Sequence, residues 1–109
     1  MTQPIIACTL VDAAFVARKE AIRASLLDYL QESRELEDGY AFRFDANAVR
    51  AAQLLDFIEA ERECCPFFTF ELIFEPENGP VWLRLRGSDE IKRFIEVEFM
   101  SLVAHNPAS

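Results

Sequence analysis

An α/β (α+β) fold, a two-layer sandwich in the order β-α-β-α-β-β-α, is predicted by three features of the sequence. Two apolar stripes at helical spacing each follow a strand-like run, an alternating aromatic pair of segments flanks a proline- and glycine-bounded turn, and a last amphipathic segment lies behind Gly87. Two βα units followed by a hairpin predict a mixed sheet of about four strands, with three helices mainly on one face. At 109 residues the chain is the size of one domain, spanning residues 1–109.

The first strand is read at Ile5–Leu10, a short, partly β-branched apolar run, and Asp12 is placed to cap the helix that follows. Phe15, Ile22, Leu26, Leu27 and Leu30 recur at helical spacing among Arg, Lys and Glu, which predicts a helix from Ala13 to about Arg34. Glu35 to Gly39 reads as its exit. Tyr40, Phe42 and Phe44 then alternate with polar or small residues, as in a half-buried strand with its aromatics on one face.

Asn47 is positioned to cap a second helix with Ala51, Leu54, Leu55, Ile58 and Cys65 on its apolar side, and Pro66 ends it by disfavouring helical geometry in the residue before it. Phe67–Glu75 and Val81–Arg86 flank the turn-forming Pro76-Glu77-Asn78-Gly79-Pro80 and predict a hairpin. Its outward positions, Glu71, Arg84 and Arg86, together with Arg43, predict a second sheet face that is partly polar or meets a partner. Ser88 or Asp89 caps the final helix, with Ile91, Phe94, Ile95, Phe99 and Leu102 as its stripe.

Acidic residues outnumber basic ones 19 to 11, a formal charge of −8 with a pI near 4.6, and this field repels nucleic acid and anionic lipid. The basic pairs, Arg18-Lys19 among them, read as solvated faces. No run is long enough to be a signal core or a membrane span, so a cytoplasmic protein with neither a nucleic-acid nor a membrane partner is expected. Three cysteines do not make a disulfide framework, which accords with a reducing compartment.

The concentrated chemistry is Glu63-Cys64-Cys65-Pro66-Phe67. Glu61 and Cys65 stand four residues apart and share a helix surface. Glu61 follows Ile58 on the apolar stripe, so a partner is required, and Arg62 is the nearest in sequence. Thiols at a helix carboxyl end beside Glu61 and Glu63 lie in a negative field, which raises thiol pKa and favours a cation over nucleophilic attack. The number and spacing of cysteines do not suit a closed zinc site, but soft ions such as mercury, arsenite or copper(I) accept two or three thiolates.

The expected metal ligands are therefore Cys64 and Cys65, with Cys8 as third sulfur and Glu61 as a weak ligand or a support behind the sulfurs. Against this stands the plain alternative that Cys8 is an inert core thiol and the double cysteine only packs. His105 lies in the tail, where little would fix its geometry.

Ala7-Cys8-Thr9-Leu10 and Glu63-Cys64-Cys65-Pro66-Phe67, followed by Phe70-Glu71-Leu72 and Val81-Trp82-Leu83, resemble a small bacterial family of uncharacterised proteins associated with mercury-resistance settings. The resemblance spans most of the chain and implies that Cys8, Cys64 and Cys65 belong together. The leading expectation is a thiol-based protein that binds a thiophilic metal or metalloid ion, zinc included. The alternatives are an interaction module forming a homodimer through its aromatic hairpin, or a cysteine redox protein. Whether any of them is an enzyme is left open by the sequence.

Overall fold

The structure, a computed structural model, describes residues 13–100, apart from the side chains of Phe15 and Met100. The strand expected at Ile5–Leu10 with Cys8, the cap Asp12, Leu102 and His105 lie outside the described residues. Within them the order is α1 (Ala13–Leu27), β1 (Glu32–Leu36), β2 (Gly39–Phe44), α2 (Ala48–Cys64), β3 (Thr69–Phe74), β4 (Val81–Arg86) and α3 (Asp89–Ile95), which runs on into a π-helical turn, Glu96–Met100. The four strands form one sheet in the order β1-β2-β4-β3. The fold is α+β, and no described helix is long and apolar enough to cross a membrane.

Every pairing among the described strands is antiparallel, so these strands do not form the expected mixed sheet. The difference arises in β1. The helix expected to reach Arg34 stops at Leu27, and Glu32–Leu36 returns as a strand, joined to β2 through Glu37 and Asp38 with Leu36 opposite Gly39. Polar Glu-Ser-Arg-Glu-Leu has no strand alternation to read, because an edge strand with charged side chains needs none. Leu30 still reaches the core, but from the turn after the helix.

Register sorts the sheet into two faces. Tyr40, Phe42 and Phe44 pair with Leu85, Leu83 and Val81, which pair in turn with Phe70, Leu72 and Phe74, and this apolar face meets the helices. The opposite face carries Arg43, Trp82, Arg84, Arg86 and Glu71, as the alternation predicts. Trp82 is only 8% exposed there, because the Arg34 guanidinium lies 4.8 Å from its ring centre and its Nε1 donates to Glu75 Oε1 at 3.3 Å. Gly39 is required where β2 passes β4, since a Cβ at that position would lie 1.9 Å from the Leu85 carbonyl oxygen.

Asn47 and Ser88 cap α2 and α3, accepting from the backbone N–H of Arg50 and of Ile91. The seam between α1 and α2 is built differently from the expected apolar stripes. Its α2 side is Arg50, Leu54, Phe57, Glu61 and Cys64, spaced by alternating fours and threes, while Leu55 points to solvent. From α1 come the buried Lys19, Arg23 and Leu26. Lys19 meets Cys64, Arg23 meets Glu61, and beyond the end of α1 Tyr29 lies under the Arg50 guanidinium at 3.4 Å, so the two helices run antiparallel.

Between β3 and β4, Gly79 N–H donates to the Pro76 carbonyl at 3.1 Å across a turn whose central residues, Glu77 and Asn78, have φ of 61° and 57°. Two left-handed central residues make the primed turn that suits the twist of a hairpin, but a glutamate there strains its backbone. Glu77→Gly is expected to raise the unfolding free energy by about 0.5–1 kcal/mol, read as a higher urea midpoint at unchanged slope.

Candidate functional site at the carboxyl end of the second helix

Cys64 is the last residue of α2 and Cys65 is its C-cap, with the Cys65 N–H donating to the Glu61 carbonyl at 2.5 Å before Pro66 ends the helix. Both sulfur-bearing residues are enclosed in the core. Phe67 and Phe68 carry the chain across the site and pack on Phe94, and Phe68 also meets Phe99 edge-on at 6.1 Å.

Glu61 is 0% exposed and the 5%-exposed Arg23 answers it, Nε to Oε2 at 2.9 Å and Nη2 to Oε1 at 3.4 Å. Arg62, the partner expected from sequence, lies on the exposed side of the helix. A planar guanidinium can satisfy both carboxylate oxygens at once, the condition under which a buried carboxylate stays charged. Arg23 also lies over the Phe99 ring at 4.3 Å and reaches the more exposed Glu20 and Glu98 at 3.5 and 3.8 Å.

Lys19 is the residue that the sequence reading misplaces. In place of a solvated face it occupies the seam at 5% exposure, and its Nζ donates to Cys64 Sγ at 3.4 Å. Cys64 is disulfide-bonded and Cys65 is a free thiol, so the bond does not join these neighbours. Burial first, and the Glu61 carboxylate second, push the Cys65 thiol up to about 11, outweighing the opposing pull of Lys19 and Arg23. The raised thiol expected at this helix end is thus found at Cys65, with desolvation as its main cause.

These positions alter the cation argument. Glu61 is consumed by Arg23, Cys65 holds its proton, Cys64 has its sulfur in a disulfide, and two ammonium or guanidinium groups are buried against one carboxylate. In this state the donor set does not suit a soft cation, and among the described residues no group of three or more His, Cys, Asp or Glu is arranged to hold a metal. Cys8 lies outside the described residues.

Removing one half of the ion pair strands a buried charge. Arg23→Met is expected to cost about 3–5 kcal/mol, and the double variant with Glu61→Leu to recover most of it, measured as a double-mutant cycle in urea. The Cys65 thiol has a separate signature. An unfolded chain loses that proton near pH 9 and the native chain keeps it to about 11, so native stability falls across that interval, by roughly 3 kcal/mol at most. Cys65→Ala is expected to flatten that part of the pH–stability curve. Comparison with protein-family models, curated proteins and solved structures gives no match to the chain.

Proposed function

We propose that the protein is a thiol–disulfide redox protein whose exchanging sulfur is Cys64. The observation that carries this reading is the buried Lys19 ammonium 3.4 Å from Cys64 Sγ. A disulfide sulfur is a weak acceptor and repays little of the cost of burying an ammonium, whereas a thiolate at the same place is a full counter-charge. The chain has three cysteines and Cys65 is free, which makes Cys8 the intramolecular candidate for the second sulfur.

Because Cys64 is enclosed, an incoming small-molecule thiolate attacks the other sulfur of the disulfide. The S–S bond breaks, its electron pair stays on Cys64 Sγ beside Lys19, and a mixed disulfide forms between the attacking thiol and the second cysteine. A second small-molecule thiol resolves that mixed disulfide. Two thiols of the reductant become one disulfide; the protein gains two electrons and one proton, carried by the second cysteine, while the other proton leaves to solvent and the Lys19 ammonium balances the Cys64 thiolate. Stabilising the leaving thiolate speeds the step, so Lys19 is a positioning charge for the exchange.

The test is reduction by a millimolar dithiol at pH 7, followed by mass-spectrometric mapping. The mixed disulfide is expected on the second cysteine and Cys64 to be recovered as the newly released thiol, while Cys65 stays unmodified, and Lys19→Met to slow reduction about tenfold or more without loss of fold by circular dichroism. Equal rates for wild type and Lys19→Met, or modification at Cys65 first, would sink the proposal. Native mass spectrometry of the reduced protein with zinc, mercury and arsenite tests soft-metal capture. Stoichiometric uptake that needs both Cys64 and Cys65 would favour the metal reading over the redox one.

A further inference from the structure

The two edges of the sheet are not protected alike. β1, at one edge, presents Glu32, Arg34 and Glu35, and charges along an exposed strand deter another chain from pairing with it. At the other edge β3 reads Thr-Phe-Glu-Leu-Ile-Phe, with no lysine, proline or glycine, and no described strand lies beyond it. Phe74 is 54% exposed, and Phe70, Leu72 and Ile73 are only partly covered. The one charge in the strand, Glu71, is already neutralised, accepting from Arg86 Nε at 2.6 Å with Arg84 at 4.0 Å.

The geometry points to a second copy of this chain as the occupant of that edge, joined by antiparallel pairing of β3 with β3 into a continuous eight-stranded sheet. A two-fold axis perpendicular to the sheet keeps the helices of both copies on one side and sets residue against residue with a constant sum. Centring it on Glu71 would oppose two glutamates, which is unfavourable. Centring it on Leu72 places Leu72 against Leu72, Phe70 against Phe74 and Glu71 against Ile73, so each exposed Phe74 is covered by an aromatic from the other copy. The same register puts Glu75 of one copy beside Thr69 of the other, one strand from Arg86, so the charges at the ends of the pairing are of opposite sign. An unrelated extended peptide would gain the backbone hydrogen bonds but not this self-match.

The full-length chain is examined by sedimentation velocity from about 1 to 100 μM, with amide hydrogen exchange of residues 69–74 at both ends of the range. A dimer whose 69–74 amides become protected as concentration rises is the expected result. Phe74→Lys, at the most exposed position, is expected to weaken dimerisation at least about tenfold, since the change is made twice in each dimer, whereas Val97→Lys on another surface leaves it unchanged. If Phe74→Lys fails to fold, Ile73→Lys serves the same purpose from the opposite face. A monomer throughout the range overturns the inference, including one in which the 69–74 amides are already protected at low concentration. So does a dimer insensitive to these variants or lost in Val97→Lys.

Discussion

The helix layer is organised around one buried ion pair, Arg23 with Glu61. An unpaired carboxylate at 0% exposure would be untenable, and bidentate contact with a guanidinium on the neighbouring helix is what makes it affordable. Such a pair adds little net stability over a well-packed apolar pair, but it is directional. Arg23 meets Glu61 only if α1 and α2 run antiparallel in one register, and that register fixes the rungs on either side, Lys19 with Cys64 and Arg50 with Tyr29. Phe99 closes the arrangement from the π-helical turn, stacked by Arg23 and packed edge-on against Phe57 and Phe68.

That register separates two neighbouring cysteines chemically. Cys65 leaves the helix axis, is desolvated and feels the Glu61 carboxylate, so it holds its proton. Cys64, one residue earlier, lies on the seam where the ammonium of Lys19 reaches it. A reading based on the helix dipole and adjacent acids treats the two as one electrostatic environment. Side-chain cations brought from another helix dominate over the half-charge of a helix end at such distances, because they are full charges in a medium of low dielectric.

Much of the fold was legible in local patterns. Asn47, the hairpin around Pro76–Pro80, the alternation of Tyr40, Phe42 and Phe44 and the stop at Pro66 each rest on short-range backbone chemistry and hold in the structure. The end of α1 was not legible, because Leu26, Leu27 and Leu30 keep helical spacing although Leu30 enters the core from a turn, and β1 pairs through its backbone with hardly any apolar side chain. The site was half legible. Glu61 on an apolar stripe signalled a buried partner, yet Lys19 and Arg23 look like a solvated face in one dimension, and only the packing of α1 on α2 shows that they are the polar members of a buried seam.

The charge balance of this seam bears on which state it favours. Among the described residues, Glu61 is the one buried carboxylate against Lys19 and Arg23, while Glu20 and Glu98 lie further out, where water screens them. With Cys64 in a disulfide, the enclosed groups therefore carry an excess positive charge. A thiolate at Cys64 would cancel it without moving any helix, since Nζ already stands at hydrogen-bonding distance from the sulfur. A low-dielectric interior penalises an uncompensated charge far more than a neutral set, so under the proposed redox function the scaffold is better matched to the reduced form than to the disulfide. The energy difference between the two forms is then held in the placement of one lysine, and the core around it can stay as it is.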